Sequence, residues 1–250
     1  MRPFLLAGSV AAWLCGPATA GETPVPGAAP LTAPLPTRPI ILDAGHGGMD
    51  YGAMRRGHVE KELALVLARK VAERLRREGV PTRLTRDADE FVPLDKRIRQ
   101  SVAWDGAAFV SLHLNQDRNR SAEGIEVYAF GNDRRIRRSG WRIRRRKGLP
   151  NIPPPPKAAR AASADLASSL VRSLRTRGLK VFKSEKAAFY VLKNPAIPSV
   201  LVELGYLSNP REAARLADPA YQDLLADAVA GSLRDYLATL DPPPAALAVK

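Results

Sequence analysis

Three places in this 250-residue chain carry side chains that could do chemistry. His46 sits in the glycine-rich run Asp43-Ala44-Gly45-His46-Gly47-Gly48, His113 in Ser111-Leu112-His113-Leu114-Asn115, and Glu203 at the end of the apolar run Val200-Leu201-Val202. One histidine after a strand is ordinarily a hydrogen-bonded structural residue. The chain has only three histidines, however, and two of them follow apolar runs that read as strands, so the pair points to a metal. A catalytic zinc site takes three protein ligands from imidazole and carboxylate and keeps one position open. His46 and His113 supply two. The third should be a carboxylate that returns close to His46, and both Glu60 and Glu62 qualify, although an acid there also favours the positive end of a helix. His58 could replace either of the other histidines, but solvent exposure in a glycine-bearing loop accounts for it better. A carboxylate ending an apolar strand is costly to bury unpaired, so Glu203 needs a use. It is either a general base beside the metal or the partner of Arg86 or Arg97 in a buried ion pair.

The elements that must position these residues alternate along the chain. Pro39–Leu42 is a short apolar run closed by Asp43 and glycines, which predicts a buried strand entering a loop. Glu60–Glu78 carries Leu63, Leu67, Val71 and Leu75 at four-residue spacing and stops at Gly79, the pattern of an amphipathic helix. Val80–Leu84, Ala107–Leu112, Ile125–Phe130, Phe189–Leu192 and Ser199–Val202 read as further strands, Leu94–Trp104 and Ala158–Arg177 as helices. Asn209-Pro210 and Asp218-Pro219 each pair a good N-cap with proline at the first helical position and open the last two helices. The alternation predicts a single α/β domain on a mostly parallel, twisted sheet of about six strands with helices on both faces. In such sheets ligands bind beyond the carboxyl ends of the strands, where His46, His113 and Glu203 fall.

Outside this domain, residues 1–20 have the order of a secretory signal: Arg2, an apolar run from Phe4 to Leu14, and Ala18-Thr19-Ala20 before an expected cut after Ala20. The run is too short to span a bilayer. Cys15 is the chain's one cysteine, so the mature protein would have no thiolate ligand or thiol nucleophile. Residues 21–37 are rich in Pro and Ala and read as a tether before a domain at 38–240, and 241–250 as a tail. The net charge of +14 is uneven, because Arg134–Lys147 holds eight Arg and one Lys and leaves about +5 for the rest. Nucleic acid is the default partner of a basic chain. Export argues against it, and the basicity belongs to one proline-rich insertion at 131–157.

The quoted motifs, together with Asp50-Tyr51-Gly52-Ala53, Glu60-Lys61-Glu62, Thr85-Arg86, Leu94 with Arg97, Phe189-Tyr190-Val191-Leu192 and Pro198 through Asn209, resemble those of the zinc-dependent N-acetylmuramoyl-L-alanine amidases used in bacterial cell separation. The resemblance runs from about Pro39 to Leu237. It implies His46, Glu60 and His113 as zinc ligands, Glu60 being chosen over Glu62 as the glutamate before the lysine, and Glu203 as the catalytic carboxylate. It implies peptidoglycan as substrate and an activator protein acting through the 131–157 insertion, and with the leader and its short apolar run the expectation is an exported, periplasmic monomer whose mature chain has no transmembrane helix. Three positions depart from the family pattern: Ala44 in place of proline, Leu114 in place of alanine, and Gln100-Ser101 in place of Ala-Asn. Leu114 would narrow the cleft beside the metal. The competing readings are a zinc peptidase acting within the stem peptide and a non-catalytic basic module that binds the wall.

Overall fold

The computed structural model describes residues 38–131, 148–182 and 184–240. The expected signal peptide, the tether, the basic stretch 132–147 and the tail lie outside them. Within the described residues the order is β1 Ile40–Ala44, β2 Met54–Arg55, β3 His58–Val59, α1 Glu60–Arg77, β4 Thr82–Leu84, α2 Leu94–Ala103, β5 Ala108–Asn115, β6 Glu126–Phe130, α3 Lys157–Thr176, β7 Glu185–Ala187, a 3-10 turn at Tyr190–Leu192, β8 Ser199–Tyr206, α4 Pro210–Ala217 and α5 Pro219–Leu240. Six strands form one sheet in the order β4-β1-β5-β8-β6-β7. The first four run parallel; β6 is antiparallel to β8 and parallel to β7. The fold is therefore the mostly parallel α/β sandwich that the alternation of patterns predicts.

Successive strand residues point to opposite faces, so each strand feeds two cores. Ile40 and Leu42 of β1, Val110 and Leu112 of β5 and Val200 and Val202 of β8 face one way, and meet Leu67, Val71 and Leu75 of α1, Leu166 and Leu170 of α3 and Val229 and Leu233 of α5. Ile41, Phe109, Leu201 and Tyr128 face the other way and meet Trp104, Phe189, Val191, Leu192 and Ile197. The second core is smaller because, among the described residues, only α2 and the 3-10 turn cover that face. Above it the sheet carries polar residues, and this is where the site lies.

Three expectations need correction. Phe189–Leu192 is not a strand. Phe189, Val191 and Leu192 are buried in the second core through a 3-10 turn, and a four-residue apolar run does not by itself distinguish the two. The sixth strand is instead Glu185–Ala187, an edge strand whose polar residues give no apolar signal. Second, β5 and β8 run on to Asn115 and Tyr206, so His113 and Glu203 lie inside strands and not at their ends. Third, Leu114 does not narrow the cleft: it alternates with His113 and is buried in the larger core. The caps agree with the sequence, since Asn209 accepts from the Arg211 amide at 2.9 Å and Asp218 from the Ala220 amide at 3.0 Å. The insertion leaves the sheet at Gly131, whose amide donates to Ala187 O. It returns with the carbonyls of Pro150 and Ile152 accepting from Tyr190 Oη and Lys193 Nζ, each at 2.7 Å.

Candidate metal centre and active site

Strand register builds the site in two rows. In the lower row Asp43 pairs with Ser111, Ser111 with Leu201, and Leu201 with Tyr128; one step up, His113 pairs with Glu203, and Glu203 with Glu126. Paired residues present their side chains on the same face, with Cβ atoms about 5 Å apart. His46 comes onto this face from the loop after β1, and Glu60 from the first turn of α1.

His46 adopts φ 59°, a left-handed conformation that is uncommon for a non-glycine residue and is characteristic of functional loops. The loop is held from below by two arginines. Arg86 donates to the carbonyl oxygens of Ala44 at 2.9 Å and Gly45 at 2.7 Å, and Arg97 to those of Ala44 at 2.7 Å and His46 at 2.6 Å. Arg97 also pairs with Asp43, which accepts from Thr85 Oγ1 at 2.5 Å and Ser111 Oγ at 2.6 Å. Burial pushes the Asp43 carboxyl up, but the Arg97 charge and the Ser111 and Thr85 hydrogen bonds outweigh it and hold it below the usual carboxylate range. Neither arginine touches Glu203 in an ion pair, so the structural alternative for that residue is not realised.

Glu60, His46 and His113 converge. Glu60 Oε1 lies 3.0 Å from His46 Nε2 and 2.9 Å from His113 Nδ1, and one donor atom from each of the three residues falls within 4.8 Å of the others. The imidazole rings stand edge to face, 4.9 Å between centroids. Backbone amides of Ala53 at 2.7 Å and Leu114 at 3.1 Å steady the two Glu60 oxygens. His46 Nδ1 is 3.0 Å from Asp50, which leaves Nε2 turned to Glu60. Gly52 makes this closeness possible: its φ is +68°, and a Cβ there would come within 2.5 Å of Glu60 Oε2 and 2.6 Å of the His46 ring. Glu62 is exposed on α1, and His58 stands in the β2–β3 hairpin outside the cluster.

The electrostatics separate two carboxylates. Burial opposes the ionisation of Glu60, but hydrogen bonds and charges from His113 and His46 win and hold it well below the ordinary range. Burial also lowers the proton affinity of His46, yet Asp50 and Glu60 overcome it and push its pKa up to about 9. Glu203 goes the other way: burial, then the negative charges of Glu60 and Glu126, raise its pKa well above the usual value. It is 1% exposed, and its Oε2 has no hydrogen-bond partner among the described residues. Two imidazoles and a carboxylate within coordination reach suit a borderline cation such as zinc. The Asp50 contact supplies the outer support that metal-binding histidines normally have. A neighbouring carboxyl with raised proton affinity and an unsatisfied oxygen can exchange a proton with a ligand in the cleft.

Sequence reasoning reached His46, Glu60, His113 and Glu203 but assigned no role to Asp50 or Gly52, although the Asp50-Tyr51-Gly52-Ala53 turn was visible as a motif. It did not reach Glu126. A lone glutamate at the start of a strand carries no local signal.

Residues 40–235 match the family model described as N-acetylmuramoyl-L-alanine amidase, Amidase_3. The chain is 31% identical over 224 residues to N-acetylmuramoyl-L-alanine amidase AmiA of Escherichia coli, covering 82% of this chain and 78% of that protein. It is similar to the catalytic domain of CwlV, an N-acetylmuramoyl-L-alanine amidase of Bacillus (Paenibacillus) polymyxa var. colistinus, with TM-score 0.65 and 28% identity over 80% of this chain and 98% of that one. It is also similar to the CwlD amidase of Clostridioides difficile, solved in complex with the GerS lipoprotein, with TM-score 0.63 and 26% identity over 81% and 99% of the two chains.

Proposed function

The chain belongs to the N-acetylmuramoyl-L-alanine amidase family, and on that premise we propose that it is a zinc enzyme in which His46, Glu60 and His113 hold the metal and Glu203 is the general base. Its reaction is hydrolysis of peptidoglycan at the amide between the lactyl group of N-acetylmuramic acid and L-alanine. The observation that carries the zinc reading is the convergence of three donors within 4.8 Å beside a buried carboxylate with an unsatisfied oxygen.

Zinc, when bound, supplies a Lewis acid that polarises the scissile carbonyl and makes water easier to deprotonate. The protein's part is to hold and move protons. The Glu203 carboxylate, whose proton affinity is raised by burial and the neighbouring acids, accepts a proton from the attacking water and delivers it to the amide nitrogen. The water oxygen bonds to the carbonyl carbon and the C–N bond breaks. Both water protons finish on the nitrogen, leaving a carboxylate on the lactyl side and an ammonium on L-alanine. Asp50 orients His46, while Ala53 and Leu114 amides orient Glu60, so the donors need little rearrangement.

On the same reading residues 1–20 direct export, 21–37 tether the catalytic domain, and the chain works as a monomer in the periplasm, or at the wall where there is no outer membrane. The order of the leader supports this, and no described helix is long and apolar enough to cross a membrane. A partner protein would act through the 131–157 insertion; the similar CwlD amidase is one that was solved in complex with a lipoprotein, GerS.

Product analysis tests the reading. Digestion of purified peptidoglycan is expected to release peptides with a new free L-alanine amino terminus and no new reducing sugar ends, and chelation should stop it until zinc is returned. New amino termini within the stem peptide would make the protein a peptidase. New reducing ends would mean glycosidase chemistry, which ordinarily uses two carboxylates.

A further inference from the structure

Glu126 is a carboxylate that the mechanism above does not use, and it is held with unusual care. Its Oε2 accepts from Asn115 Nδ2 at 2.9 Å and from Tyr128 Oη at 2.6 Å, and Tyr206 lies on the same face of the sheet. Tyr206 reaches that face through a break in the strand. Between β5 and β8 the register shifts after His113–Glu203, so that Asn115 pairs with Tyr206, and Gly205 at φ +149° absorbs the extra residue. That bulge brings Tyr206 onto the face that carries Glu203 and Glu126. Asn115, Tyr128 and Tyr206 are all buried, while Glu126 is partly open to the cleft.

Glu126 lies directly across an antiparallel pair from Glu203. Like charges in that relation are destabilising, and Glu203 has an oxygen without a partner. A purely structural role would be served as well by a neutral side chain. The arrangement instead suits a donor or cation arriving between and above the two acids. The order along the row says which part of the substrate that is. His113 stands on the metal side, where the carbonyl oxygen must go; Glu203 comes next and serves the amide nitrogen; Glu126 follows, one strand farther, on the side where the peptide departs.

We propose that Glu126 is a substrate-binding residue that receives the amino group of the departing L-alanyl peptide, accepting its N–H in the amide and pairing with it as the ammonium forms. This rests on the amidase reading above. An acceptor-only group held by two buried donors is restrained from turning away, so its hydrogen bond to the nitrogen strengthens as positive charge develops there.

The test compares binding of an L-alanyl dipeptide with a free amino terminus to binding of its N-acetylated form, by calorimetry on the full zinc-loaded chain. The wild-type protein is expected to prefer the free amine by about tenfold, the size of one charge-assisted hydrogen bond, and Glu126→Gln to bind both forms alike with zinc content unchanged. A wild type without that preference, or a Glu126→Gln protein that keeps it, overturns the proposal. If Glu126→Gln does not fold, Glu126→Asp sets the charge back by one methylene and should reduce the preference; an Asp variant indistinguishable from wild type would be equally fatal. Peptide binding is read without turnover, so failure of the amidase reading shows separately, as absence of muramoyl–L-alanine cleavage by the wild-type enzyme.

Discussion

Arg97 donates to Asp43 at 2.6 Å with both side chains almost wholly buried, and the same guanidinium donates to the carbonyl oxygen of His46 at 2.6 Å. A buried ion pair at the floor of the sheet is thus bonded to the loop that presents a proposed metal ligand. Stability and metal geometry share one side chain.

Removing one partner of such a pair strands the other charge. Asp43→Asn should lower the unfolding free energy at neutral pH by about 3 kcal/mol or more. Because the folded Asp43 carboxyl is held below its ordinary value, its contribution is present above pH about 4 and is lost as pH falls through the lower folded value. Denaturant melts from pH 7 to pH 2 should therefore show a flatter acid limb in Asp43→Asn than in wild type. Parallel curves would show that the pair does not control acid stability.

Glu203→Ala should reduce wall hydrolysis by at least about a hundredfold, the ordinary scale of a general base, and leave metal content intact. Zinc analysis and lysis assays on the same preparation check it. A variant that loses the metal would put Glu203 among the ligands.

His46→Ala and His113→Ala should both lose zinc and activity, whereas His58→Ala, whose ring belongs to the β2–β3 hairpin, should retain both. Equal losses in all three would mean that the wrong histidines have been assigned.

Gly52→Ala places a methyl group against Glu60 Oε2 and the His46 ring at a left-handed φ. Zinc affinity should fall about tenfold or more, as when outer support of a metal site is disturbed, while far-ultraviolet circular dichroism stays unchanged. Wild-type affinity in this variant would show that the turn is not what holds the ligands together.

The alternation of apolar runs, caps and glycines was enough to place most strands and helices, because those patterns are set within a single segment. It also brought His46, His113 and Glu203 to attention, since each follows or lies in an apolar run at the carboxyl end of the sheet. Spacing could not choose between Glu60 and Glu62. The resemblance favoured Glu60, and helix phase agrees: Glu60 is buried towards the imidazoles, and two residues on, Glu62 points to solvent. Other features exist only between segments. Register across three strands puts His113, Glu203 and Glu126 in one row; a bulge turns Tyr206 towards Glu126; alternation inside an unexpectedly long β5 sends Leu114 into the core. For the same reason Phe189–Leu192 reads as a strand and the edge strand at Glu185–Ala187 gives no signal. One chain segment reveals which residues are apolar, but neighbouring strands decide which of its faces is buried and what each side chain meets.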